Sequence, residues 1–350
     1  MSDLKINNIT DRTGNAGPII AGVSTVSTTG AFTVPSGPTE YRGGRGRGVQ
    51  CGGTNSGTLQ GLTGCEYVDI ATTGNASDFG DLARELMSPA ASASSVRAVL
   101  AGGSYGLEPN STDTSEIEYI TISSQGGQSS FGDLQEGNKR VLAGAGDNTR
   151  MVIAGGYQES PEIKSKKMEY ITIASTGDAS EFGDLHRRLG TYSFAGSSNS
   201  PTRCFFYGGT NPITNVIDYI TTQTKGNSEL FGDLTIQRRV GSQGTTSSTT
   251  RGICGSAYDS PANVNTIDYI TMASIGNATD FGDMTTSVRG VDACSSTIRA
   301  LFFGGQSGPA GINTIQYITI ATTGNSVDFG DLSVAKTRGC GFSDSHGGLG

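Results

Sequence analysis

The stretch that decides the fold is Asn265-Thr-Ile-Asp-Tyr-Ile-Thr-Met-Ala-Ser-Ile-Gly-Asn-Ala-Thr-Asp-Phe-Gly-Asp283. Its last three residues, Phe-Gly-Asp, occur six times at a spacing of 48 to 52 residues, and a tyrosine precedes each phenylalanine by twelve residues. The six copies begin at Phe79, Phe131, Phe182, Phe231, Phe281 and Phe329. A period of about 40–50 residues, built from β-branched and aromatic runs, indicates a repeated small sheet rather than a helical solenoid.

Each repeat reads as four strands. In the last repeat we expect them at residues 291–294, 299–303, 314–320 and 327–332. A Gly-Gly pair ends the second strand, and a Gly-Asn turn joins the third to the fourth, because tight hairpins need residues that tolerate positive φ. The third strand carries apolar residues on both parities, which predicts a sheet covered on both faces. We therefore expect the phenylalanine of Phe-Gly-Asp to pack between neighbouring sheets.

The two ends of the repeat array complement each other. The repeat that starts at Arg47 lacks a first strand, and residues 337–347 resemble a first strand with no second strand after it. Pairing the two would complete one sheet and leave few open edges. The sequence thus predicts an all-β fold, a six-bladed β-propeller over residues 47–350 closed by the C-terminal strand. Residues 1–46 have no repeat and are predicted to form an extended N-terminal arm.

Composition limits the classes of binding partner and the cellular compartment in which the protein is expected to be made. A net charge of −8 argues against nucleic acid, whose phosphates need a basic face. The apolar stretch at residues 18–23 is too short to span a bilayer and lacks a cationic leader, so we expect no membrane insertion and synthesis in a cytoplasm. The six cysteines show no Cys-x-x-Cys or zinc-type spacing. They are expected to be buried free thiols rather than disulfides.

No motif points to catalysis. The two histidines, His186 and His346, belong to no cluster with metal-ligand spacing, and there is no nucleophile elbow or phosphate loop. We therefore predict no catalytic residues, no metal and no cofactor. Each repeat also carries one arginine and, in five of the six, one acid, which we expect to pair within the sheet in a structural role. The arginines are Arg47, Arg97, Arg150, Arg203, Arg251 and Arg299, and the matching positions in the third strands are Glu66, Glu118, Glu169, Asp218, Asp268 and Gln316.

Binding is expected where the copies differ most, in the loops that follow each Gly-Gly pair. Tyrosine there offers a large contact area at small entropic cost, which suits protein or glycan contacts. The alternative is a set of surface tyrosines without a partner. The predicted partner-binding residues are Tyr105, Tyr157, Tyr258, Lys164, Lys166 and Lys167.

The order of these pieces resembles the kelch repeat over residues 47–350, with Phe where kelch has Trp. More specifically, the block at residues 265–283 is similar to repeats in virion structural proteins of tailed phages, particularly those of marine cyanobacteria. The stretch at residues 9–20, Ile-Thr-Asp-Arg-Thr-Gly-Asn-Ala-Gly-Pro-Ile-Ile, is similar to leader segments of structural and fibre-type proteins of the same phages.

The resemblance implies a non-enzymatic virion structural protein, assembled in the host cytoplasm and located in the virion. Its arm, with Ile9, Ile19 and Ile20, would attach to a neighbouring virion subunit, although a disordered leader is the alternative. Its loops would contact another subunit, a host surface receptor or a glycan. Two rival functions stay open, a cellular kelch-type interaction scaffold and a glycan-active propeller enzyme.

Overall fold

A computed structural model describes residues 46–349, apart from residues 56, 59, 108–109, 159–160, 187–195, 210–212, 241–243, 256 and 260–261. The predicted arm, including Ile9, Ile19 and Ile20, lies outside the described residues except for Gly46. The described part of the chain is all-β, and its one helical element is a short 3-10 turn at Gly347–Leu349.

The main elements are six four-stranded antiparallel sheets, numbered here 1 to 6 along the chain. From first to fourth strand they are, in sheet 1, Cys340–Ser343, Arg47–Cys51, Gly64–Asp69 and Ser77–Asp81; in sheet 2, Ala90–Ala93, Arg97–Ala101, Glu116–Thr121 and Ser129–Asp133; in sheet 3, Ala143–Gly146, Arg150–Ala154, Lys167–Thr172 and Ser180–Asp184; in sheet 4, Gly196–Asn199, Arg203–Tyr207, Val216–Thr221 and Glu229–Asp233; in sheet 5, Thr245–Ser247, Arg251–Cys254, Thr266–Thr271 and Thr279–Asp283; and in sheet 6, Asp292–Ser295, Arg299–Phe303, Thr314–Thr319 and Val327–Asp331.

Short strands lie in the connections between the second and third strands and in the linkers that join one sheet to the next. They pair as Thr54–Asn55 with Lys336–Thr337, Ser104–Tyr105 with Thr112–Asp113, Tyr157–Gln158 with Ile163–Lys164, Ala257–Asp259 with both Arg239–Val240 and Ala262–Val264, and Gln306–Ser307 with Ala310–Gly311.

The strand predictions for the last repeat are confirmed to within one residue at each end. The predicted pairing of the two chain ends is also confirmed. Strand Cys340–Ser343 runs antiparallel to Arg47–Cys51, with Cys340 opposite Cys51 and Phe342 opposite Val49. The first sheet therefore takes its first strand from the C-terminal end of the chain.

The sheets pack on one another in sequence order. Each first strand contacts the first strands of the sheets before and after it, and sheet 1 contacts both sheet 2 and sheet 6. The apolar core is divided into six clusters, each shared by two consecutive sheets. Each cluster contains one phenylalanine of Phe-Gly-Asp, packed edge-on against the tyrosine of its own repeat, as in the 5.8 Å pair of Tyr317 and Phe329. The arrangement is compatible with a β-propeller.

A main-chain hydrogen bond joins every pair of consecutive sheets. The N–H of the turn glycine in one sheet donates to the carbonyl of the Phe-Gly-Asp phenylalanine in the sheet before it. Gly276 donates in this way to Phe231 over 3.0 Å, and Gly74 of sheet 1 donates to Phe329 of sheet 6 over 2.8 Å. At five of the six boundaries the next turn residue adds a side-chain acceptor, as when Asn277 Oδ1 accepts the Asp233 N–H at 3.0 Å.

The recurring arginines also link neighbouring sheets, so the predicted pairing of arginine and acid within a sheet is wrong. Arg97 stacks 4.1 Å from the ring centroid of Tyr119, and its Nη1 donates to the Ile173 carbonyl of sheet 3 at 2.9 Å. The strand register explains the error, because Arg97 lies opposite Thr121, three residues from Glu118. The other arginines make the same contact, from Arg47 to Ile122, Arg150 to Thr222, Arg203 to Met272, Arg251 to Ile320 and Arg299 to Ala71.

The cysteine prediction is wrong for one pair. Cys51 and Cys65 form a disulfide, whereas Cys204, Cys254, Cys294 and Cys340 are buried free thiols, as expected. Antiparallel pairing places Cys51 directly opposite Cys65 on the neighbouring strand, with their Cα atoms 4.1 Å apart. Proximity of this kind follows from strand register and has no spacing motif that marks it in the sequence.

The C-terminal segment ends among the first strands. His346 is buried, and its Nδ1 accepts the Gly348 N–H at 3.1 Å, which leaves the ring proton on Nε2 to be donated to the Ala93 carbonyl at 2.6 Å. Both nitrogens are thus satisfied by a neutral ring. Burial lowers the pKa of His346 to about 4.

The close approach of sheets at Phe-Gly-Asp predicts that Gly232→Ala destabilises the protein. A Cβ there would lie 2.2 Å from the Gly276 carbonyl oxygen of the next sheet, and overpacking of this kind costs about 1–3 kcal/mol. Gly276→Ala is the matched control, because its Cβ would meet nothing within 4 Å. Urea unfolding should separate the two variants, and equal effects would contradict the role given to this contact.

The buried histidine predicts a loss of stability in acid. The unfolded state binds a proton near the ordinary histidine pKa of about 6.5, whereas the folded state binds it only near pH 4. Stability contributed by His346 is therefore complete above about pH 7 and falls by about 3 kcal/mol as the pH drops to 4. Unfolding free energies at pH 7 and 4.5 should show a smaller acid loss in His346→Gln than in the wild type. The exposed control, His186→Gln, should retain the full loss.

Candidate functional site

The variable connections and the linkers lie together at one end of the sheets, called here the loop face. It comprises the connections between second and third strands together with the linkers from one sheet to the next. Isolated bridges join the two kinds of segment, Met87 with Ser104, Arg140 with Tyr157 and Arg289 with Gln306. The loop face is thus held by main-chain pairing.

Each predicted tyrosine on the loop face has an arginine near its ring. The guanidinium carbon lies 5.0 Å from the ring centroid for Arg84 and Tyr105, 5.7 Å for Arg140 and Tyr157, and 5.3 Å for Arg239 and Tyr258. Tyr105 and Tyr258 are half-buried, but Tyr157 is only 4% exposed. Tyr157 therefore acts as a packing residue with little surface to offer a partner.

Carboxylates neutralise the arginines that lie beside Tyr105 and Tyr157. Arg84 forms an ion pair with Glu116, and Arg140 forms one with Asp113 at 3.4 Å. The three predicted lysines behave in the same way. Lys164 lies 3.1 Å from Glu162, Lys166 lies 2.9 Å from Asp184, and Lys167 lies 3.5 Å from Glu181.

Tyr258 differs from the other two tyrosines because a second arginine reaches it. The guanidinium carbon of Arg289 lies 5.2 Å from the same ring centroid. Arg239 comes from the linker before sheet 5 and Arg289 from the linker after it, about 50 residues apart in the chain. The sequence carried no signal for this convergence beyond two arginines in equivalent linkers.

The recurring acids serve the structure. Glu66, Glu169 and Asp268 are buried, and each pairs with a buried cation from the preceding linker. The ion pairs are Lys336–Glu66 at 2.7 Å, Lys139–Glu169 at 3.3 Å and Arg238–Asp268 at 2.6 Å.

Sheet 6 has uncharged residues at both positions of this ion pair. Val288 lies in the linker before sheet 6, at the position that Arg238 has in the linker before sheet 5, seven residues after the Phe-Gly-Asp phenylalanine of the preceding sheet. The position of the acid in the third strand of sheet 6 is occupied by Gln316. Gln316 Oε1 accepts the Thr285 N–H at 2.9 Å. Because an unpaired buried carboxylate is costly, the loss of the cation is matched by the loss of the acid.

In the part of the chain that the structure describes, no group of three or more His, Cys, Asp or Glu residues could hold a metal ion. Across those same residues, none of the elements is an apolar helix of membrane-spanning length.

A scan of protein-family models and a search of curated proteins found no match to the chain.

Coupled charge burial predicts a strong interaction between Arg238 and Asp268, both 0% exposed. Arg238→Met leaves the Asp268 carboxylate buried without its cation, which should cost about 3–5 kcal/mol. The double variant Arg238→Met/Asp268→Asn reproduces the neutral arrangement of sheet 6 and should lose less than the two single variants together.

A double-mutant cycle measured by urea unfolding tests this coupling. The control is the solvent-exposed ion pair of Lys166 and Asp184. Lys166→Gln should change the free energy of unfolding by less than about 1 kcal/mol, because water screens an exposed pair. Additive effects at Arg238 and Asp268 would refute the coupling.

Proposed function

We propose that the protein is a non-enzymatic structural component of a phage virion, built as a closed six-bladed, kelch-like β-propeller with an attachment arm at residues 1–46. The loop face serves as its contact surface for a neighbouring subunit, a host surface receptor or a glycan. Nucleic acid binding and membrane insertion play no part in this function.

Six equivalent sheet boundaries support the ring. The contacts between sheets 6 and 1 are of the same kind as those between the other sheets, including the bond from Gly74 to Phe329 and the bond from Arg299 to the Ala71 carbonyl. A row of sheets open at the ends would leave two apolar faces in water, which closure avoids. The blade count in this proposal rests on these repeated links.

A binding role is supported by the way the recurring residues are used. The arginines and turn residues that occur in every repeat make contacts between sheets, and Glu66, Glu169 and Asp268 are paired with buried linker cations, so these residues are not free to form a reaction centre. The loop face is where the repeats differ in their tyrosines, arginines and acids. This contrast is the single observation that carries the proposal of a contact surface rather than an enzyme.

The virion assignment rests on the resemblance of the repeats and the leader. It predicts that the protein co-purifies with infectious particles through a density gradient and is detected there by mass spectrometry. Deleting residues 1–46 should abolish particle association, because the arm provides the attachment, whereas Gly276→Ala should leave it unchanged. A protein found only in the particle-free lysate would point to a cellular scaffold instead.

A further inference from the structure

The surroundings of Tyr258 are held rigidly from both sides. Arg239 is the cross-strand partner of Tyr258 in a short antiparallel pair. Arg289 exchanges two main-chain hydrogen bonds with Gln306, at 3.1 and 2.8 Å. Both guanidinium carbons lie within 5.3 Å of the Tyr258 ring centroid. The two cations are therefore positioned by strand pairing and do not depend on a ligand to bring them together.

The two arginines lack the counter-charges that their equivalents have. Arg84 and Arg140 pair with carboxylates, but neither Arg239 nor Arg289 forms an ion pair with any residue that the structure describes. Shortage of acids does not explain this, since the chain has 32 acidic and 24 basic residues. Two like charges beside one ring repel each other unless an anion lies between or above them.

One donor of the pair also has no acceptor. Arg239 Nε is buried, and no described residue accepts a hydrogen bond from it. Arg289 Nε, in contrast, donates to Gln306 Oε1 at 3.2 Å. A buried donor without an acceptor destabilises the folded state, and a ligand oxygen placed against Nε would relieve this.

We propose that Arg239, Arg289 and Tyr258 form a binding site for the anionic groups of an acidic polysaccharide. Guanidinium groups bind carboxylate oxygens in a two-pronged geometry, and both guanidinium groups lie beside the same phenol ring. The ligand's carboxylate or sulfate supplies both the missing counter-charge and the missing acceptor.

The chemistry around the site favours a saccharide over an acidic peptide. Two of the neighbours that the structure describes are uncharged amides, and Asn263 Nδ2 donates to the Gln306 carbonyl at 2.8 Å. Among the described parts of residues 239–264 and 285–297, no large hydrophobic side chain is exposed. A peptide interface usually needs such apolar anchors, whereas sugar hydroxyls are recognised by amides and by a tyrosine.

This proposal rests on the proposed function, because it assigns a ligand class to the loop face. Binding at the site can nevertheless be measured on the isolated protein. The experiment is calorimetric titration of the full chain with oligoglucuronate, dextran sulfate, neutral dextran and poly-glutamate. We expect binding of the two charged saccharides, weakened by added salt, with no binding of dextran. Arg239→Gln and Arg289→Gln should each weaken binding about tenfold or more, since each removes a charge-assisted hydrogen bond to the ligand.

Arg84→Gln is the matched control, because its guanidinium beside Tyr105 is already paired with Glu116. It should leave the affinity within about twofold, and melting temperatures show that each variant is folded. Equal loss in Arg84→Gln, equal binding of dextran, no binding at all, or tighter binding of poly-glutamate would overturn the assignment. Saccharide binding without particle association would leave the site standing and remove only the virion proposal, and the reverse result would remove only the site.

Discussion

The contact between a turn glycine and the Phe-Gly-Asp segment of the preceding sheet sets how closely consecutive sheets pack. Its N–H···O=C bond brings the two backbones so close that a Cβ on the glycine of Phe-Gly-Asp would lie 2.2–2.5 Å from the turn carbonyl at five of the six boundaries. The same approach places each phenylalanine in the apolar cluster between sheets. A four-stranded sheet alone would expose both of its apolar faces, so stability comes from the boundaries.

Buried charges are paired in sheets 1, 3 and 5. In each of these sheets a carboxylate of the third strand is accompanied by a cation from the preceding linker. In sheet 6 the linker has Val288 in place of the cation, and the third strand has Gln316 in place of the acid. The recurring arginines each donate a side-chain hydrogen bond to a main-chain carbonyl of the next sheet. The guanidinium groups of Arg239 and Arg289 differ from these paired cations, because neither forms an ion pair with a residue that the structure describes.

Local signals made much of the fold predictable. Apolar runs, Gly-Gly pairs and Gly-Asn turns located the strands of the last repeat to within a residue, since turn chemistry and strand propensity act over a few positions. The errors concern contacts between strands. The pairing of arginine with acid was expected from their shared period, but the register sets them three residues apart, and the same register brought Cys51 opposite Cys65.

Periodicity and turn residues are enough to predict the repeat, the order of strands and the pairing of Cys340–Ser343 with Arg47–Cys51. Which side chains meet across a sheet boundary depends on tertiary packing. It buried Tyr157, which the loop position had marked as a contact residue, and it brought Arg239 and Arg289 to one ring. Such meetings join residues about 50 positions apart, and they depend on how separate sheets pack rather than on any local preference of the chain.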